Sequence, residues 1–265
     1  MHTSNLFSLS GKNVLLTGAT GYLGSSIAWA LAKAGARVLV NSRSFEKCEA
    51  LTAAIQSADF FAENAWFDAT DQSAIDSFFL ERKDLPLHCL INNAYSGSGG
   101  TIESSFSEAY EKSYDIGLIS AHRLLVAALP GLRQSKFETG DASAINIASM
   151  YGVVSPDLRV YDSAEGSNPP FYGATKAALI QWTRYAACEF GHEGIRVNAI
   201  SPGAFPSLSV QKDNPEFINR LEQKVPMGRI GRADEVCGPI IFLASSASSY
   251  VNGANLCLDG GWTVW

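Results

Sequence analysis

Charge is sparse in this chain of 265 residues. Only 17% of the residues are Asp, Glu, Lys or Arg, and 20 scattered basic residues face 26 acidic ones for a formal net charge of −6. Without basic runs the sequence offers no footprint for nucleic acid or for an anionic membrane surface. Met1 to Ser10 lack a basic start followed by an apolar run, and no stretch reads as the roughly 18 apolar residues of a membrane span. The expectation is a soluble, cytoplasmic protein that is not exported. Cysteine is equally uninformative as a framework: Cys48, Cys89, Cys188, Cys237 and Cys257 are odd in number and widely spaced, which fits reduced thiols better than a zinc or redox motif. None of His2, His88, His122 and His192 is paired at ligand spacing, so no metal is expected. Repeats, low-complexity tracts and an interdomain linker are missing too, and one domain over residues 1–265 is expected.

What is present is an apolar chain, 46% hydrophobic, with alternating periodicity. Strands are predicted at Asn13–Thr17, Arg37–Asn41, Ala65–Phe67, Leu87–Asn92, Ala142–Ala148, Arg196–Ser201 and Asn255–Leu258. Helices are predicted near Tyr22–Ala34, Phe45–Gln56, Gln72–Arg82, Ser104–Leu129, Phe171–Phe190 and Ala233–Ala244. Such alternation implies an α/β fold, a doubly wound parallel sheet of Rossmann-like type with helices on both faces. Two segments interrupt it. Ser155–Pro170 is predicted to be a long loop, and Ser201–Pro215 an irregular crossing before a short helix near Glu216–Lys224, because both are rich in proline and glycine.

After the first strand comes Thr17-Gly18-Ala19-Thr20-Gly21-Tyr22-Leu23-Gly24, opening into a helix. Glycines at 18, 21 and 24 permit a tight turn and close backbone approach, and the helix start presents N–H groups to a pyrophosphate. At the end of the second strand, where a carboxylate would grip a ribose 2′-hydroxyl, stand Asn41, Ser42 and Arg43. Arg43 either pairs with a 2′-phosphate, which favours NADP over NAD, or is a solvated loop arginine. Tyr172 and Lys176, four apart on a helix, project from one face, so an ammonium there would favour the phenolate and lower its pKa. Tyr–Lys pairs at this spacing are also common as plain structure.

Taken together, Thr17-Gly18, Asn92-Asn93-Ala94, Ser149, Tyr172 with Lys176, Asn198-Ala199-Ile200-Ser201-Pro202-Gly203 and Leu258-Asp259-Gly260-Gly261 occur in the order seen in short-chain dehydrogenases/reductases, and the chain resembles that family over its whole length. The resemblance implies that Tyr172 is the acid/base, that Lys176 tunes it and holds the nicotinamide ribose, and that Ser149 orients the substrate carbonyl. It implies cofactor contacts at Thr17, Gly18, Gly21, Tyr22, Leu23, Gly24, Ser42, Arg43, Asp68, Ala69, Asn92, Ala94, Tyr172, Lys176, Pro202, Gly203 and Ser207. Asn92, Asn93 and Asp68 equally suit strand-end caps. It also implies a homodimer or homotetramer through the long helices.

Three departures stand out. The glycine spacing follows the family's extended, nucleotide-sugar branch, Ser149 and Tyr172 are further apart than is usual for the single-domain branch, and Gly117 stands where the family's fourth-helix asparagine is expected. Glycine there still permits a local helix distortion. Tyr95, where a glycine often follows Asn-Asn-Ala, crowds the same region. The activity expected is nicotinamide-dependent interconversion of a secondary alcohol and a ketone on a small polar, sugar-like substrate. The alternatives are a nucleotide-sugar epimerase or dehydratase, for which the chain ending at Trp265 leaves no extra substrate domain, and a cofactor-binding regulator that has lost catalysis. Ser155–Pro170, carrying Asp157, Arg159, Tyr161, Asp162, Glu165 and Asn168, is read as part of the substrate site, against a plain surface loop or oligomer contact.

Overall fold

Short apolar strands that are buried on both faces need helices on both sides, and the computed structural model, which describes residues 6–97 and 99–265, has that arrangement. Among the described residues seven strands form one parallel sheet in the order β3-β2-β1-β4-β5-β6-β7. They are β1 (Asn13–Leu16), β2 (Arg37–Val40), β3 (Ala62–Asn64), β4 (Cys89–Asn92), β5 (Ala142–Ile147), β6 (Ile195–Pro202) and β7 (Asn255–Leu258). The connecting helices are α1 (Tyr22–Lys33), α2 (Phe45–Gln56), α3 (Gln72–Glu81), α4 (Ser107–Tyr114), α5 (Ser120–Thr139) and α6 (Pro170–Phe190), followed by the short α7 (Leu208–Asp213), α8 (Pro215–Lys224) and α9 (Cys237–Ala244).

Successive strand residues point to opposite faces. Val14 and Leu16 pack with Ile27 and Leu31 of α1 and Ile240 and Leu243 of α9, while Leu15 packs with Ile75 and Phe78 of α3 and Leu124 and Leu125 of α5. The strand order reverses between β1 and β4, which opens a crevice at their carboxyl ends. The doubly wound α/β expectation is met.

Three elements differ from the sequence reading. The third strand is Ala62–Asn64, paired with Val38–Val40, instead of Ala65–Phe67. Ala65 and Phe67 follow it and join the core; Ala65 N–H still donates to Val40 O, and the two carbonyls accept from the Asn41 side chain beyond the strand's end. The helix expected to end at Leu129 continues to Thr139 through Pro130. Pro130 is exposed, so the carbonyl it leaves unbonded faces water, and the buried stripe of Leu124, Leu125, Ala128, Leu129 and Leu132 carries the helix onward. By length and composition the helical run Ser107–Thr139 is apolar enough to cross a membrane, contrary to the sequence expectation; 44% of its most apolar window is buried inside the protein, with that stripe packed on the sheet. Finally, α7 stands within the segment read as irregular, started by Ser207, whose hydroxyl accepts from Val210 N–H.

Candidate active site

The glycine turn lies at the reversal point of the sheet. Gly18 has φ +61°, and a Cβ there would stand 2.8 Å from Ala94 Cα, so only glycine lets the turn pass so close to the end of β4. A Cβ on Gly24 would stand 2.2 Å from the Gly18 carbonyl, which fixes α1 tightly on the turn. Ser44 caps α2 and Asp71 caps α3 with their side chains, but Gly21 gives α1 no side-chain cap. The first N–H groups of α1 therefore have no partner from a capping side chain. They border a cavity of about 460 Å³ whose walls include Gly18, Gly21, Tyr22, Leu23, Gly24, Ser42, Arg43, Ala69 and Ala94. Nine of the sequence-named residues thus meet at one place.

The same wall holds residues that the sequence reading did not single out for this site: Lys47, Thr20 and Asn93. Lys47 lies in the first turn of α2, just past Arg43, which precedes the helix cap Ser44. Asn93 Nδ2 donates to the carbonyls of Thr17 (2.9 Å) and Gly18 (3.1 Å), holding the turn against β4. Thr20 donates to Ser42 at 3.0 Å.

Other named residues stand behind the cavity. Thr17 is buried, and its hydroxyl accepts from Asn93 N–H and Ala94 N–H. Asn92 faces the sheet interior, donating to Asn146 at 2.8 Å. The Asp68 carboxylate accepts from the N–H and hydroxyl of Thr70, which makes it a turn cap. Pro202 ends β6, Ser207 caps α7, and Gly203 fits where a Cβ would stand 2.6 Å from Asp259 Cα.

Ser149 follows β5, and Tyr172 and Lys176 share the inner face near the start of α6, so the three side chains converge. The Ser149 hydroxyl accepts from Tyr151 N–H at 3.1 Å and lies near enough to the Tyr172 phenol to favour its ionised form. Lys176 is 3% exposed, donates to the Ile147 carbonyl at 2.7 Å and lies 5.7 Å from the Tyr172 ring. Burial pulls its pKa down to about 8. Burial also raises the Tyr172 phenol above its usual range, with the Ser149 hydroxyl acting in the opposite direction. The sequence expectation of a lowered phenol is therefore reversed, with lost hydration of the phenolate as the largest cause.

Tyr95 completes this cluster. Its ring packs edge-on against Tyr172 (4.9 Å between centroids), and the Lys176 ammonium lies 5.0 Å from its centroid. Its hydroxyl bonds Ser113 (2.8 Å), which bonds Thr175 (2.7 Å). Gly117 lies in a π turn, Asp115–Ile119, between α4 and α5, so the helix distortion expected at that glycine is present. A Cβ on Gly117 would stand 2.4 Å from Thr175 Cγ2 and 3.5 Å from the Tyr95 ring. Tyr95 thus fills the space in front of Gly117 and borders both the glycine-turn cavity and a second, larger one.

That second cavity, about 870 Å³, is lined by Tyr172, Tyr151, Gly203, Phe205, the inner side of α7 and α8, and part of the long loop. From the loop it receives Tyr161, Asp162 and Asn168; Asp157, Arg159 and Glu165 are not in its wall. Tyr151 and Tyr161 share a hydroxyl bond of 2.9 Å. The loop is anchored at several points. Arg220 of α8 donates to Val160 O and pairs with Asp162, Asn214 donates to Asp162, and Lys224 pairs with Asp157. Ser167 donates to Ala164 O at 2.6 Å and accepts Gly100 N–H at its carbonyl.

Comparison with known proteins agrees with this arrangement. A family model described as Enoyl-(Acyl carrier protein) reductase matches residues 18–263. Gluconate 5-dehydrogenase of Gluconobacter oxydans is 32% identical, covering 100% of this chain and 99% of its own. The rhamnolipids biosynthesis 3-oxoacyl-[acyl-carrier-protein] reductase of Pseudomonas aeruginosa is 34% identical, covering 97% and 98%. A crystal structure of a gluconate 5-dehydrogenase from Burkholderia cenocepacia, in complex with NADP and tartrate, superposes with a TM-score of 0.89 at 28% identity over all of both chains. With a family model over residues 18–263 and relatives above 30% identity over nearly the whole of both chains, the chain belongs to the short-chain dehydrogenase/reductase family.

Proposed function

We propose that the chain, working as one unit over residues 1–265, is an NADP-dependent oxidoreductase that interconverts a secondary alcohol and a ketone on a small, polar, sugar-like substrate. The observation that carries this reading is the convergence of Ser149, Tyr172 and Lys176 where the two cavities meet, with Tyr172 in the wall of the larger one. The cavity at the glycine turn suits a dinucleotide: a cradle that any Cβ would fill, helix N–H groups without a capping side chain, and two cations, Arg43 and Lys47, where a 2′-phosphate would lie. NADP-bound relatives support the same assignment. NAD is the weaker alternative, because Asn41, Ser42 and Arg43 include no carboxylate. When bound, the nicotinamide cofactor supplies or accepts the hydride.

The chain's own residues handle the proton and the positioning. Tyr172, whose raised pKa keeps it protonated at neutral pH, donates its phenolic proton to the substrate oxygen in the reducing direction. Ser149 orients that oxygen. Lys176 keeps a positive charge beside the phenolate that is left, and Tyr95 holds both side chains in register. Thr17, Asn92 and Asp68 act on the cofactor site through the backbone they fasten, while Gly203 lines the larger cavity, flanked by Pro202 at the end of β6 and by Ser207 as the cap of α7.

The free cysteines among the described residues fit a reducing, cytoplasmic setting. Exposed Ile119 beside α5, Val126 on it and Tyr185 on α6 support a homodimer or homotetramer through those helices. The test is steady-state turnover. Oxidation of NADPH in the presence of sugar, polyol-derived or other small ketones is the expected result. Stoichiometric NADPH binding without turnover across the panel would favour the regulator reading instead.

A further inference from the structure

The charges around the larger cavity are one-sided. Among the described residues its wall contains Asp162 and Asp213 and no Lys, Arg or His. The cations that approach it from the loop and α8 are engaged, Arg159 and Lys224 with Asp157 and Arg220 with Asp162, and Lys212 of α7 is exposed and stands outside the wall. Asp213, the last residue of α7, is exposed and makes no ion pair among the described residues. A carboxylate or phosphate carried into this space meets no cation, and such a charge is costly to enclose unpaired. What the wall does offer are groups that both donate and accept, the hydroxyls of Tyr151, Tyr161 and Ser209, beside the flat apolar faces of Phe205 and Phe217. Tyr161 and Phe217 stack at 5.5 Å between centroids and form one continuous platform.

Building on the oxidoreductase reading above, we propose that this cavity selects an uncharged polyhydroxylated ketone or alcohol and rejects sugar acids and phosphate-bearing acyl carriers. This separates the chain from the relatives named for gluconate and for 3-oxoacyl carriers, although it shares their fold. A hydroxyl-rich neutral ligand satisfies the Tyr and Ser hydroxyls and rests its C–H face on the aromatic platform. Asp213, the wall carboxylate without an ion pair among the described residues, disfavours an anion at the entrance.

The test uses matched pairs with one carbon skeleton, glucitol against gluconate and fructose against 5-ketogluconate, with the full-length chain and NADP(H). The neutral member of each pair is expected to have a kcat/KM at least about tenfold higher. Asp213→Lys is expected to move that ratio toward the carboxylate by about threefold or more. A wild-type enzyme that uses the carboxylate as well as its neutral partner, or a ratio unmoved by Asp213→Lys, overturns the proposal. If no pair is turned over, the oxidoreductase reading is decided separately by the wider ketone panel. Calorimetric titration of the same pairs into the NADP-loaded chain then decides selectivity: tighter binding of the neutral member sustains it, and equal or tighter binding of the carboxylate overturns it.

Discussion

The glycine-turn cavity is walled by strand ends and the first turns of helices, whereas the larger cavity is walled by a long loop and two short helices. The first is tied together by backbone: Ala19 N–H to Asn41 O, Thr17 N–H to Ile91 O, and the Asn93 amide to the turn itself. The second is tied together by side-chain ion pairs between Ser155–Pro170 and α8. Backbone geometry suits a ligand whose phosphates never change. Side-chain ties on loops can be replaced without disturbing the sheet, so the second cavity can change its lining while the first stays intact. Tyr95, Tyr172 and Lys176 stand where the halves meet, and the two halves should respond separately to substitution everywhere except there.

The largest effect is expected at that junction. Lys176→Ala removes the charge beside the phenol and a ribose donor, so kcat should fall by about a thousandfold and NADPH binding should weaken as well. In the parent, kcat/KM for reduction should decline as pH rises through about 8, the value to which burial depresses Lys176, because the protonated form lies below it. A profile flat through pH 9 would place the essential charge elsewhere.

On the cofactor side, Arg43→Ala combined with Lys47→Ala should weaken NADP(H) binding by about ten- to a hundredfold and leave NAD(H) binding and substrate KM little changed. Equal losses for both cofactors, measured by fluorescence titration, would break the assignment of these cations to a 2′-phosphate. Ser42→Asp should move preference toward NAD.

On the substrate side, replacing Pro156–Asn168 by a glycine-serine link should lower kcat/KM about tenfold while cofactor affinity stays unchanged. Equal loss of cofactor affinity would show that the halves are not separable. The smallest effect is expected for Tyr95→Phe, which keeps the ring against Tyr172 and Lys176 and loses only the bond to Ser113. A fall in kcat of about two- to fivefold, with KM constant, corresponds to one hydrogen bond.

The same contrast explains what could be read from the sequence. The β1 turn, its glycines and the Tyr172–Lys176 pair were legible because each depends on local chain geometry, a positive φ or a one-turn helical spacing. The signal for Lys47 was a second cation in the first turn of the helix that follows Arg43. The edge strand Ala62–Asn64 was missed because Glu63 and Asn64 are polar and owe their place to pairing with β2, a non-local partner. The upward shift of Tyr172 was missed because helix spacing places a charge nearby yet says nothing about how much water burial removes. Which loop side chains face the cavity depended likewise on α8, whose Arg220 and Lys224 draw Asp162 and Asp157 into place.

The central claim is that Tyr172 transfers the proton at a site whose cofactor is held by other residues. It is tested most directly by Tyr172→Phe, with NADPH affinity and turnover measured on the same preparation. The account predicts affinity within about twofold of the parent and turnover reduced by at least about a thousandfold, since only the reacting hydroxyl is removed. Turnover within about tenfold of the parent, with cofactor affinity intact, would contradict it.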